Sequence, residues 1–93
     1  MMNMQVRNGL INERKVVVSF DGQMVKIRRG MFGRTEVSIP VSKITLVGWH
    51  KNRVAGGYIE FVAAGADGRV EFMPWSTKEF AALRAAVDAA VAR

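Results

Sequence analysis

Apolar and polar residues alternate along most of residues 15–73, and the pattern changes to a helical stripe from residue 76 onward. Val16, Val18 and Phe20 alternate with Val17 and Ser19, the period of a half-buried strand. Asp21-Gly22 follows as a hairpin signal, because aspartate and glycine accept the backbone geometry of tight turns. Met24 to Arg29 reads as the next strand, with Val25 and Ile27 inward and Met24, Lys26 and Arg28 outward. A second turn lies between Gly30 and Gly33, then a strand from Arg34 to Ile39 with Thr35, Val37 and Ile39 inward. Pro40 lacks the N–H a ladder needs and ends that strand, so Val41-Ser42-Lys43 is expected to bend. Further strands are expected over Ile44 to His50, Tyr58 to Val62 and Arg69 to Met73. A basic loop, Lys51 to Gly57, joins the first two, and an Asp-Gly turn, Ala63 to Gly68, joins the last two. Pro74-Trp75 ends the sheet.

The helix carries the strongest local signals. Ser76 and Glu79 have capping-box spacing, in which each side chain satisfies a backbone N–H of the first turn. Phe80, Leu83, Val87 and Val91 then fall on one stripe, flanked by alanines that allow close approach to a sheet. Residues 1–14 have no such regularity; Gly9-Leu10-Ile11-Asn12 reads as a turn entering the first strand. Strands followed by one terminal helix predict an α+β fold: a single domain over residues 1–93, with strands at 15–73 and a capping helix at 76–92.

Composition narrows the chemistry more than the fold. The chain has no cysteine, which removes disulfides, a thiol nucleophile and thiolate metal ligands. No apolar run approaches the ~20 residues of a membrane span. The first residues, Met1 to Arg7, lack the apolar core of a signal peptide, so a cytoplasmic protein is expected. The net charge of +6 is uneven. Residues 1–54 carry ten basic and three acidic side chains; residues 55–74 carry one and three; residues 75–93 carry three and two. A basic N-terminal half points to an anionic partner, although a charge of this size also serves solubility alone.

No constellation for catalysis is present. His50 stands beside Trp49 with no serine or acid placed near it by a recognisable motif. The carboxylates are scattered, without metal-ligand spacing, and Gly56-Gly57 precedes a strand rather than a helix, so it is not a phosphate loop. The expectation is a non-enzymatic protein with no cofactor and no metal. The candidate anion or partner contacts are Lys26, Arg28, Arg29 and Arg34 on one hairpin, with Lys51 and Arg53 on a second loop. Arginine suits phosphate because its planar fork binds two oxygens. Met31 and Phe32 form a candidate apolar contact at a turn tip, either folded back onto the barrel mouth or presented to a partner such as an anionic bilayer.

One succession of segments resembles a known family: Phe20-Asp21-Gly22, Val25 to Arg29, Ile39 to Ile44, Val47-Gly48-Trp49, Gly57 to Phe61, and Phe80 through Arg84. It resembles a bacterial domain of unknown function with a pleckstrin-homology-like (PH-like) fold. In actinobacteria that domain often occurs in tandem or beside a short C-terminal oligomerisation module. The resemblance spans about residues 14–88 and looks like a freestanding copy, of the kind a phage or other mobile element carries. It implies a PH-like split barrel of about six to seven antiparallel strands with the C-terminal helix plugging one end. It brings no catalytic residues to carry over, and a fold alone does not confer a lipid site.

The functional expectation is therefore an interaction module that binds protein, with self-association into a homo-oligomer as one form of this. An open sheet leaves edge strands able to pair with another chain. The N-terminal Met1, Met2, Met4 and Val6 offer a soft apolar contact. The alternative is an anion-surface binder, of nucleic acid or acidic lipid, through the basic hairpin face.

Overall fold

A computed structural model describes residues 3–29, 35–65 and 67–92. The strands are β1 (Met4–Ile11), β2 (Arg14–Phe20), β3 (Met24–Arg29), β4 (Thr35–Pro40), β5 (Ile44–Asn52), β6 (Gly56–Ala63) and β7 (Gly68–Phe72), and α1 (Thr77–Val91) follows. They form one antiparallel seven-stranded sheet in the order β4-β3-β2-β1-β7-β6-β5. The sheet is not closed, and β4 and β5 are its two edges. This is the α+β fold with one C-terminal helix that the strand-then-helix order predicts, and it is consistent with the split barrel that the family resemblance implies. Among the described residues no helix is long and apolar enough to cross a membrane.

The alternation read from the sequence is the alternation observed. Val16, Val18 and Phe20 of β2, Val25 and Ile27 of β3, Ile59 and Phe61 of β6, and Val70 and Phe72 of β7 are all buried. Side chains of opposite parity face outward, so each strand gives the core one face. The sheet bends until its halves meet. A Cβ built on Gly68, at the start of β7, would lie 2.9 Å from Ile27 Cδ1 and 3.3 Å from Ile39 Cδ1. Strand β7 therefore lies across the core from β3 and β4.

The N-terminal segment differs from its expected form. Residues Gly9 to Ile11 are not a turn but the second half of β1, which pairs with β2 from Met4↔Phe20 to Ile11↔Arg14. The turn falls at Asn12-Glu13, where both residues have positive φ, 50° and 65°. Two central residues with positive φ define the tight hairpin turn whose twist matches that of the strands. Strand β1 carries a bulge between Val6 and Gly9, with Asn8 at φ 67°. The bulge sets Arg7 and Asn8 opposite one residue of β2 and shifts the inward positions from Val6 to Gly9. That shift in phase is why alternation fails across the segment.

Three polar side chains fasten the hairpin ends. Asp21 Oδ1 accepts the N–H groups of Gln23 (2.9 Å) and Met24 (2.8 Å). Asn52 Oδ1 accepts those of Val54 (2.9 Å) and Ala55 (3.3 Å). Asp67 Oδ1 accepts that of Ala63 (3.1 Å). The strand β5 runs on through Lys51 and Asn52, so Lys51 is a strand residue rather than a loop residue, and Arg53 alone of that pair sits in the turn.

The helix α1 buries Phe80, Leu83 and Val87, and Val91 packs at the margin of the core. The rings of Phe72 and Phe80 stack at 5.0 Å between centroids, which joins the helix to β7. Its start is built differently from a capping box. The 3-10 turn Pro74–Ser76 leads directly into α1, and the Ser76 side chain makes no cap hydrogen bond. Ser76 is buried, with φ −103° and ψ 1°, away from the extended geometry a capping serine needs. The turn itself supplies the opening backbone bonds, Ser76 N–H to Met73 O at 2.9 Å and Thr77 N–H to Pro74 O.

Candidate functional site

The open edge at β5 is the most distinctive surface of the molecule. Nine residues, Ile44–Asn52, pair with β6 on one side only. An antiparallel strand sends alternate N–H and C=O groups to each side, so among the described residues the outer side of β5 keeps a row of groups with no strand beside them. After an irregularity between Ile44 and Leu46, the strand turns Val47 and Trp49 toward the core. Leu46 faces away and is 60% exposed. Val54, in the adjoining turn, is 86% exposed, and Trp75, in the turn that opens α1, is 74% exposed. Among the described residues these are the large hydrophobic side chains left in water, and all three lie on β5, its turn or the approach to α1.

Beside the edge runs a groove of about 320 Å³ between β5 and α1. Trp49 and Lys51 line one wall, and Thr77, Ala81, Arg84, Ala85 and Asp88 line the other. The helical wall is one stripe of α1, next to the buried stripe of Phe80, Leu83 and Val87. An aromatic column ties this groove to the core. Phe80 stacks on Phe72, Phe72 meets Trp49 at 5.1 Å, and the Arg84 guanidinium lies 5.4 Å from the Trp49 ring centroid. Asp88 Oδ2 holds Arg84 Nε at 3.5 Å, so the cation at the groove wall is positioned from two sides. Trp49 is thus a half-buried wall residue.

A second hollow, of about 300 Å³, opens on the opposite face of the same end of β5, beside Leu10, His50, Tyr58 and Glu71. His50 stacks on Tyr58 at 5.5 Å, and the Arg69 guanidinium lies 3.7 Å from the Tyr58 ring centroid. His50 is therefore part of an aromatic and cationic stack on the outer face of the sheet. Among the described residues no group of three or more His, Cys, Asp or Glu side chains could hold a metal ion.

The basic candidates do not form one cluster. Lys26 and Arg28 share the outer face of β3, with Arg29 exposed at the strand end. The register sets Lys26 between Ser19 and Ser38, and Arg28 between Val17 and Thr35. Arg7 and Lys15 are exposed on the adjoining β1 and β2. Lys51 stands in the groove against α1, and Arg53 in the turn beyond it. Arg34, Met31 and Phe32 lie outside the described residues. At the neighbouring turn, the two N–H groups donated by Gln23 and Met24 hold the Asp21 carboxyl below its usual 3.8, with Lys26 adding a smaller effect in the same direction.

Sequence reasoning missed Leu46, Arg84 and the groove itself. The parity of Val47 and Trp49 against Leu46 was the available signal for the exposed apolar position. Arg84 and Asp88, one helical turn apart, were the signal for a positioned cation.

No curated protein and no solved structure matches the chain. A family model described as a domain of unknown function (DUF4429) matches residues 18–81, from the middle of β2 to the first turn of α1. That span takes in the open edge, most of the groove and well over half of the sequence, and the chain belongs to the DUF4429 family.

Proposed function

We propose that this protein is a non-enzymatic, PH-like interaction module that binds a protein strand at the open β5 edge. The observation that carries the reading is a nine-residue edge strand, unpaired on one side and flanked by exposed Leu46 and Val54. Edges of this kind take up extended segments, with main-chain hydrogen bonds giving affinity and pockets for alternate side chains giving selection. Sheet proteins usually blunt such edges with short strands, proline or inward charges. Strand β5 is long and contains no proline, its irregularity is confined to Ile44–Leu46, and Trp49 and Lys51 line the groove beside it.

The test is chemical-shift mapping of the labelled full chain with a capped, uncharged peptide of alternating threonine and valine. Shifts in residues 44–52 and along α1, little affected by salt, support the reading. Shifts elsewhere refute it, and so does the absence of shifts both with this peptide and with charged peptides of the same pattern. Light scattering at rising protein concentration separates capture of a foreign strand from self-association, the other form the same edge allows.

A second reading has its own support. The outer faces of β1, β2 and β3 carry Arg7, Lys15, Lys26 and Arg28, and the described part of these faces carries no carboxylate. Such a face suits nucleic acid or an acidic lipid surface. Binding of that kind weakens steeply with added salt. It should vanish in Lys26→Glu with Arg28→Glu, whereas strand capture at β5 should survive both changes.

A further inference from the structure

The β5 edge also has a chemical preference, which follows from the charges around it. From Lys43 to Arg53 the chain carries Lys43, Lys51 and Arg53 and no carboxylate. Across the groove, Arg84 is held in place by Asp88 and the Trp49 ring. An added strand lies ~4.8 Å from β5 and sends every second side chain toward α1. Those side chains would meet apolar surface at Trp49, Ala81 and Ala85, and cations at Lys51 and Arg84. The opposite set would meet Leu46.

A second copy of the chain is the wrong occupant on the same grounds. Two β5 strands paired antiparallel about Gly48, the middle residue, would bring Lys43, just before the strand of each copy, near Arg53, just after the strand of the other. Like charges would then stand just beyond both ends of the new ladder, between two molecules each of net charge +6. Like charges brought together at an interface disfavour it.

Resting on the reading of β5 as a binding edge, we infer that its partner is an acidic extended segment of another protein. It adds as an eighth strand, with carboxylates alternating with apolar side chains and facing Lys51 and Arg84. The guanidinium and ammonium groups select and steer this segment; the unpaired backbone of β5 supplies most of the hold. The acid need not displace Asp88, because the Arg84 guanidinium has donors beyond the Nε that Asp88 engages.

The experiment uses the full chain and three capped peptides of equal length, in which valine alternates with glutamate, threonine or lysine. The glutamate peptide should bind about tenfold more tightly than the threonine peptide at low salt, the combined effect of two partly exposed charge contacts. Its shifts should fall in residues 44–52 and 77–88, and the advantage should shrink as salt rises from about 0.05 M to about 0.5 M. The lysine peptide should leave those residues unshifted. Lys51→Gln with Arg84→Gln should erase the preference for glutamate, and Lys51→Glu with Arg84→Glu should transfer it to the lysine peptide. Equal binding of the glutamate and threonine peptides at β5 overturns the acidic preference and leaves the edge reading standing. Binding of none of them at β5 overturns both. A dimer whose β5 shifts grow with protein concentration also overturns the inference, since the occupant is then a second copy.

Discussion

Gly9→Ala tests the junction on which the bent sheet depends. Gly9 lies on the core face of β1, just past the bulge, where the strand passes close to β7. A Cβ built there would stand 2.5 Å from Val70 Cγ1, 3.1 Å from Phe80 Cζ and 3.2 Å from Val16 Cγ2. All three neighbours are buried, so none can swing into solvent. Gly9 is not among the residues with positive φ, so alanine adds crowding without backbone strain. Overpacking of this size costs about 1–3 kcal/mol. The reduced freedom of the unfolded chain returns about 0.4–1 kcal/mol. A net loss of about 1–2 kcal/mol is expected. Val70→Ala alone should cost about 2 kcal/mol by opening a cavity. In the double variant the new β-carbon enters the space that Val70 Cγ1 vacates, and Gly9→Ala should then be neutral or stabilising by up to ~1 kcal/mol. The expected coupling is on the order of 2 kcal/mol, read from urea unfolding followed by tryptophan fluorescence and far-ultraviolet circular dichroism. The m-value should stay constant, so that midpoints report stability. Additivity within about 0.5 kcal/mol would refute the reasoning, because residues that do not touch add in that way.

The other predictions are tested on unfolding by urea and heat and on one titration. Phe80→Ala should cost about 3–5 kcal/mol and lower the melting temperature by at least about 12 °C, since the ring is fully buried and stacked on Phe72; a neutral result would mean that α1 does not cap the sheet. Ser76→Ala should change stability by less than about 0.5 kcal/mol, against about 1 kcal/mol for a working cap, because its side chain makes no cap bond. Glu13→Gly should stabilise by about 0.5–1 kcal/mol, because glycine relieves the positive φ at the second turn position while giving back part of the gain as unfolded-state entropy. For Asp21 the folded carboxyl titrates below its usual 3.8, so its contribution is present above that pH and is lost as pH falls through the lowered value. Carboxyl-carbon shifts should show the lowered midpoint, and Asp21→Asn should flatten that part of the acid stability curve.

Strand β3 was legible because Val25 and Ile27 alternate cleanly with Lys26 and Arg28, and its register with β2 is unbroken. Strand β1 was not, because the bulge at Arg7 and Asn8 breaks the phase and Gly9 fills a core position with no side chain of its own. The Asn12-Glu13 turn hid for a related reason: glutamate rarely marks a positive φ. The helix stripe was plain from spacing alone. Its cap was misread because Ser76 belongs to a 3-10 turn, and the spacing of Ser76 and Glu79 says nothing of that turn's backbone. The groove was the least legible feature. Trp49 and Arg84 are far apart in the chain, and only the folding of α1 against β5 brings them together.

The seam between β1 and β7 has a consequence for how the molecule forms. Every other strand pairing joins neighbours in the chain, so β1 to β4 and β5 to β7 are two local meanders. The seam is narrow, with Leu10↔Glu71 as its register pair. Closing so long a loop costs on the order of 3–4 kcal/mol of chain entropy before any contact across it repays the loss. During synthesis β1 emerges first and meets its β7 neighbour last. Until β7 is made, the second side of β1 has no partner in the sheet, and the stacked pair of Phe72 and Phe80 that backs the seam comes later still.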